Sequence, residues 1–314
     1  MVSFPQDDDK IMREPSTRGY LLVVAAAGLW GTLGLIFRAL HDDFGLSALT
    51  IAFLRAGIAF VILVIVLSIV RPRLLKVTPR ALPFFALYGF CGVTAFYFSY
   101  TQAVIQTTVT TAVVLLYTAP AFVTLIAWRV WREPLDARKI VALTLAFVGC
   151  ALVARAYDPA QLSLNLIGLL IGLAAGFTYA LYTVFSKSAL ERFSLWTALL
   201  YALLFGALFL IPLQTMDSFA PLVQKPGVWL VLLALAIGPT LGSLALYNAG
   251  LLRVPASNAS VMATIEPVGA SVLAFLFLGE RLEFLQMVGG AMVIAGAVWL
   301  SVGNRRFRSS LTRT

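Results

Sequence analysis

A run of roughly twenty apolar residues recurs along the whole of this 314-residue chain, and no other feature constrains its fold as tightly. Backbone N–H and C=O groups in lipid must be paired within the protein, so a spanning segment is either a helix or a strand of a closed barrel. Barrel strands alternate apolar and polar residues, whereas these runs are continuously apolar, which leaves helices. Ten spans fit, at 19–39, 47–70, 81–103, 106–128, 138–155, 163–187, 194–212, 228–250, 257–278 and 282–302. Charged residues make up 12% of the chain, about half the share usual in a soluble domain. The longest stretches outside the spans are the two tails and 213–227, too short for a soluble domain of useful size. The chain therefore reads as an all-α integral membrane protein that acts within the bilayer.

Basic residues set the expected orientation, because cytoplasmic loops hold an excess of Lys and Arg. With a cytoplasmic N-terminus, Lys10, Arg13, Arg18, Arg71, Arg73, Lys76, Arg80, Arg129, Arg132, Arg138, Lys139, Lys187, Arg192, Arg253, Arg305, Arg306, Arg308 and Arg313 fall inside. Those are 18 of the 23 Lys and Arg. Arg38, Arg155, Lys225 and Arg281 fall outside, and Arg55 lies within a span. An even number of spans puts both termini in the cytoplasm. The net charge of +9 is explained by topology and does not point to nucleic acid. Cys91 and Cys150 both sit in apolar runs, where buried thiols are expected rather than a disulfide. The N-terminal 18 residues are too polar for a cleavable signal peptide, and their acidic run is left out of the fold argument.

The chain repeats itself. Tyr117 to Asp136 reads YTAPAFVTLIAWRVWREPLD, and Thr264 to Glu283 reads TIEPVGASVLAFLFLGERLE. Pro120 and Pro267 are 147 residues apart, as are Glu133 and Glu280, Tyr100 and Tyr247, Ala103 and Gly250, and Gly149 and Gly296. Trp30-Gly31 matches Tyr179-Ala180 if one small gap is allowed. A constant offset marks an internal duplication, with 19–155 as the first five-helix repeat and 163–302 as the second. The tails 1–18 and 303–314 flank them. Five is odd, so the second copy enters the membrane from the opposite side. The expected fold is thus ten transmembrane helices in two inverted five-helix repeats. That is the architecture of secondary transporters, whose site lies near the midplane between the repeats.

Four features carry a family resemblance. They are Trp30-Gly31 in the first span, Arg55 in the second, the proline-centred fourth and ninth spans, and the acidic turns that close them. Those turns read Trp131-Arg132-Glu133-Pro134-Leu135 and Gly279-Glu280-Arg281-Leu282. Over about 19–302 the chain resembles the EamA-type branch of the drug/metabolite transporter superfamily. The resemblance implies a ten-helix inverted-repeat transporter of small metabolites, often an exporter of amino acids or related compounds, in the bacterial inner membrane. It also implies a central cavity lined mainly by helices 1, 3, 4, 6, 8 and 9. It does not name the cargo.

Glu266 is the first candidate for the site, because it stands near the bilayer midplane, where a carboxylate is costly and marks function by default. It can pair with a substrate ammonium, or take a proton as the coupling ion; the alternative is a structural acid at a helix break. The first repeat carries Ala119 at the equivalent place. Pro120 and Pro267 break their helices at matching depths, each freeing a carbonyl four residues back. Arg55 either snorkels to the outer interface or joins a structural pair, or else meets an anionic cargo group. Trp30, Tyr100, Gln102, Tyr117, Tyr179, Tyr182, Tyr247 and Asn248 form an aromatic and polar set suited to an amphipathic organic cargo. An interfacial belt is the alternative for Tyr97, Tyr100 and Tyr247, which lie nearer span ends. Gly168, Gly172 and Gly176 form small-residue steps that favour close helix packing.

These features exclude several classes. His41 is the only histidine, no Cys/His cluster exists for a metal, and no phosphate-binding loop for ATP occurs. No cofactor and no catalytic residue is expected. The leading expectation is a secondary active or facilitative exporter of small amphipathic metabolites, chiefly amino acids, working by alternating access. The alternatives are an anion antiporter for phosphorylated or nucleotide-linked sugars, and efflux of drugs or cations. Sugar-phosphate antiport needs several cavity Lys or Arg, and the core holds only Arg55. A channel or an intramembrane enzyme ranks lower. With both repeats in one chain, a monomer suffices for a complete path, and a dimer remains open.

Overall fold

The structure, a computed structural model, describes residues 16–311 apart from Leu164 and Glu280, and describes the backbone alone over 302–311. Lys10, Arg13, Glu280, Arg313 and the side chains of Arg305, Arg306 and Arg308 therefore lie outside what is described. Among the described residues nine helices are long and apolar enough to cross a membrane. They are α1 (Thr17–Asp42), α2 (Ala48–Val70), α3 (Pro79–Gln106), α4 (Val109–Val130), α6 (Leu166–Leu190), α7 (Leu195–Leu213), α8 (Val228–Leu251), α9 (Ala256–Leu278) and α10, which runs Phe284–Leu311. The remaining expected span is α5 (Ala137–Val153), 17 residues long. It covers about 26 Å at 1.5 Å per residue, just short of a 30 Å core. The chain is a multi-pass membrane protein.

Helix starts fall where a side chain can take the orphan N–H groups of the first turn, a strong need next to lipid. Ser16, Ser47, Thr108, Asp136, Asn165 and Ser194 each accept from the N–H three residues on. Large apolar side chains such as Ile69, Leu230 and Phe277 point outward, at 78%, 75% and 71% exposure, where only lipid offers them an apolar surrounding.

Five helices are interrupted, four of them as matched pairs. In α4 the helix stops at Leu116 and restarts at Ala119, and in α9 it stops at Ala263 and restarts at Glu266. Each restart stands one residue before a proline, which has no N–H to continue the ladder. In α3 residues Phe90–Ala95 form a π-turn, and in α8 residues Ala236–Gly242 do the same. Adding 147 carries 90–95 onto 237–242, so the π-turns are also repeat-related. Inside them, Thr94 and Thr240 each donate a hydroxyl to the carbonyl five residues back, Gly89 and Leu235. α1 breaks at Thr32, while α6 is continuous through the corresponding stretch.

The inverted relation is visible at the seam between α5 and α10. A Cβ on Gly149 would lie 2.7 Å from the Gly289 carbonyl oxygen, and one on Gly289 would lie 2.6 Å from that of Gly149. A Cβ on Gly296 would lie 3.1 Å from the Ala142 carbonyl oxygen. Positions 142 and 289 are repeat equivalents, and so are 149 and 296. The contacts thus exchange under the repeat, and their order reverses along the two helices. Antiparallel equivalents meeting in a self-complementary contact are what a two-fold axis between them produces.

Following the charge distribution, we call the end that holds 43–47 outer and the end that holds 131–136 inner.

Candidate functional site

A cavity of about 520 Å³ lies between the helices. It runs from Tyr117 and Glu266 at mid-height to Phe37, Ala48, Ile105 and Val109, which belong to the outer ends of α1, α2, α3 and α4. Trp30, Phe96, Tyr97, Tyr100, Tyr179 and Tyr182 give it aromatic walls. The fold opens it here because the helix breaks and π-turns disturb regular packing at this depth, and because α1 comes close to α9. A Cβ on Gly31 would lie 3.0 Å from the Ala270 nitrogen, so glycine lets α1 settle on α9 just past its break more closely than a larger residue would.

Two charged side chains face this space. Arg55 is 6% exposed and does not snorkel outward. Its Nε donates to Thr240 Oγ1 at 3.1 Å, and another of its nitrogens donates to the Tyr97 hydroxyl. Thr240 is able to accept from α2 because the α8 π-turn directs its hydroxyl inward. The guanidinium carbon also lies 5.5 Å from the centre of the Tyr97 ring. A guanidinium carries five N–H donors, so most of the fork stays free for a further partner. Glu266 opens the outer half of α9, in the first turn after the break, where free N–H groups favour a negative charge. Its carboxylate has no hydrogen bond or ion pair among the described residues. The rings of Tyr97, Tyr100, Tyr117 and Tyr179 lie within reach of its charge. The site thus offers one cationic fork and one carboxylate in an aromatic chamber, enough to hold a small molecule bearing both charges.

The EamA-like transporter family matches the sequence twice, over residues 17–155 and 166–302. The chain belongs to the EamA-like transporter family. Among its relatives is a protein described as a probable terminal-alkyne amino-acid exporter from Streptantibioticus cattleyicolor. It is 30% identical over 290 residues, covering 90% of this chain and 93% of the relative. An uncharacterized transporter of Archaeoglobus fulgidus is 29% identical over 282 residues, or 89% of this chain and 95% of the relative. An uncharacterized inner membrane transporter of Salmonella typhimurium is 22% identical, over 93% of this chain and 98% of its own length. A solved crystal structure superposes with a TM-score of 0.73, 18% identity, and coverage of 92% of this chain and 98% of that one, which supports the fold.

Within this EamA-like frame the expected site residues separate into groups. Glu266, Arg55, Trp30, Tyr100, Tyr117, Tyr179 and Tyr182 line the one cavity. Tyr247 and Asn248 stand behind its wall. The Tyr247 ring packs 5.2 Å from Trp30, its hydroxyl pairs with Thr183 Oγ1 at 2.7 Å, and the Asn248 amide donates to the Tyr182 hydroxyl at 3.3 Å. Gln102 does not line the cavity, although its neighbour Thr101 does. Pro120 and Pro267 are buried at the two breaks. Tyr97, Tyr100 and Tyr247 lie within the bundle rather than in an interfacial belt. Gly172 and Gly176 pack α6 on α4, against Leu115 and Thr118, and Gly168 packs on Thr107 in the turn between α3 and α4.

The cavity wall also draws on α2, and on Leu203 of α7, beyond the helices that the family resemblance implies. Sequence reasoning did not single out Phe96 or Thr240. Thr240 had one available signal, its place one residue after Pro239 inside an apolar span.

Proposed function

We propose that this transporter exports small zwitterionic metabolites, amino acids with an apolar or aromatic side chain, across the cytoplasmic membrane. The observation that carries the reading is the free Glu266 carboxylate in the same aromatic cavity as the half-occupied Arg55 guanidinium. A lone carboxylate in such a chamber is costly unless its charge is met. A cargo ammonium meets it, and so does a proton. The two then compete for one group, which is the simplest basis for exchanging cargo against protons. Arg55 takes the cargo carboxylate through its planar fork, and the rings cover the apolar side chain. The relative described as a probable terminal-alkyne amino-acid exporter supports the same class.

The aromatic walls and single acid also suit a hydrophobic cation by cation–π attraction, so cation efflux is the second reading. Arg55 opposes it, because a cation without a carboxylate leaves that fork facing a like charge. A single arginine is too little for a sugar phosphate.

The deciding experiment is counterflow in proteoliposomes with a labelled aromatic amino acid. Its competitors are the same molecule without its carboxylate and the same molecule without its amine. The zwitterion reading expects either deletion to abolish competition. Full competition by the amine alone establishes cation efflux instead.

A further inference from the structure

A second, much smaller cavity of about 20 Å³ lies on the inner side of the same helix breaks, between the inner halves of α4, α6, α8 and α9. Most of its lining corresponds to residues of the large cavity, Tyr117, Pro120 and Ala180 being the exceptions. The 147-residue offset carries Ala119 to Glu266, Val123 to Ala270, Ser260 to Val113, Ala263 to Leu116 and Tyr247 to Tyr100. The gapped match carries Tyr179 to Trp30. Every member of the second set lines the large cavity. The two spaces are thus one half-site seen twice, open to about 520 Å³ at the outer end and collapsed to about 20 Å³ at the inner end.

At the inner end the Glu133 carboxylate ties α4 to α9, beside a second tie in which Trp131 Nε1 donates to Glu191 Oε1 at 2.6 Å. Arg132 adopts a left-handed backbone, with φ of 53°, just past the last turn of α4, and this turns Glu133 toward α9. Gly279 has the same left-handed geometry, with φ of 68°, at the equivalent place after α9. Glu133 accepts from the backbone N–H of Ala256 at 2.7 Å and of Ser257 at 3.2 Å, and from the Ser257 hydroxyl. These are the first N–H groups of α9, whose own cap, Pro255, makes no side-chain hydrogen bond to them. Lys139 balances the charge at 3.3 Å, with both side chains about one-tenth exposed. Beside it, Lys187 Nζ of α6 donates to the carbonyls of Leu251 at 2.6 Å and Val254 at 3.3 Å, drawing α6 to the turn between α8 and α9.

We infer that the small cavity is the closed inner vestibule of the transport path, and that Glu133 is the latch that holds it shut. When Glu133 leaves the α9 N-terminus, the inner halves of α4 and α9 part, and cargo reaches Glu266 past Ser260 and Thr183. The vestibule carries Ala119 where the outer half-site carries Glu266, so it passes the cargo ammonium without holding it. This inference rests on the transporter reading for its cargo, but the opening itself is a matter of geometry and can be measured without cargo.

The test is cysteine accessibility in the full chain, in a Cys91→Ser, Cys150→Ala background. A membrane-impermeant thiol reagent is applied to intact spheroplasts and to inverted vesicles. With the latch intact, Ser260→Cys should be inert from either side. Adding Glu133→Gln should raise its labelling from the cytoplasmic side at least ten-fold, and should lower the labelling of Thr101→Cys from the opposite side. Labelling of Ser260→Cys that stays within two-fold after Glu133→Gln, or that rises from the external side, overturns the inference. If Glu133→Gln lowers the folded yield, Ser257→Ala takes its place, removing one donor to the latch. It should give about a three-fold rise of the same sign, and no rise overturns the proposal equally. Loss of zwitterion transport with this labelling pattern intact would refute the cargo assignment alone.

Discussion

Arg55 on α2 and Glu266 on α9 line one cavity with opposite charges, and among the described residues no ion pair joins them. Arg55 is steadied by neutral groups, Thr240 and Tyr97, which fix its position without cancelling its charge. Glu266 has no such support. A transporter gains from this separation, because two charges that neutralised each other would leave nothing for the cargo, and an immobile pair would not release it.

Arg55→Lys should separate charge from geometry. Lysine keeps the positive charge but loses the fork and the grip on Thr240. A charge-assisted hydrogen bond contributes about 1.5–3 kcal/mol, so the KM for a zwitterion should rise roughly ten- to a hundred-fold. The carboxylate-free amine should fail to compete in the variant as in the wild type, because the positive charge at this position is kept. Counterflow with the two competitors reads both.

Gly149→Leu should damage folding rather than transport chemistry. Its first carbon already meets the Gly289 carbonyl at 2.7 Å, and overpacking of this kind costs about 1–3 kcal/mol. Gly57 on α2 has nothing within 4 Å of an added Cβ, so Gly57→Ala should be neutral or slightly stabilising. Thermal unfolding of the two variants in detergent, side by side, checks the contrast.

Ala119→Glu should upset the balance between the two ends. Ala119 is 3% exposed and lines the collapsed cavity. A carboxylate there has little room and no cationic partner in the lining, and its desolvation costs several kcal/mol. The form with a closed inner end should lose population, and external labelling of Thr101→Cys should fall several-fold. Ala119→Ser, which is small and neutral, should leave that labelling unchanged.

The sequence carried the membrane class, the repeat offset, the two proline breaks and the two charged residues that share the cavity. Long apolar runs and a lone carboxylate are strong signals, because lipid tolerates so few alternatives. The direction of Arg55 was not legible. Eight residues into its span it had the reach to snorkel, and what turns it inward is Thr240, 185 residues away on a π-turn. Such turns leave a weak mark: the one at Phe90–Ala95 contains no proline, and its apolar run continues unbroken. Tyr97 looked interfacial from its place near a span end, but α3 extends to Gln106, three residues beyond the expected boundary, which sets Tyr97 deeper. The span 138–155 became Ala137–Val153, ending two residues early where Ala154 caps the helix and Arg155 takes a left-handed backbone, with φ of 61°. Closure of the inner end depends on the Glu133 contact with α9, which links residues more than 120 positions apart and leaves no local pattern.

The central claim is that Glu266 exchanges a cargo ammonium for a proton, and Glu266→Gln in proteoliposomes with an imposed pH gradient tests it most directly. Glutamine keeps the shape and a hydrogen-bonding tip but can neither ionise nor take up and release a proton. The account predicts that wild-type zwitterion flux is driven by the gradient and varies with pH. It predicts that the variant, folded by size-exclusion profile and thermal unfolding, loses gradient-driven flux and shows a flat pH profile. Flux and pH dependence at wild-type levels in Glu266→Gln would contradict it and leave Glu266 as a structural acid at a helix break.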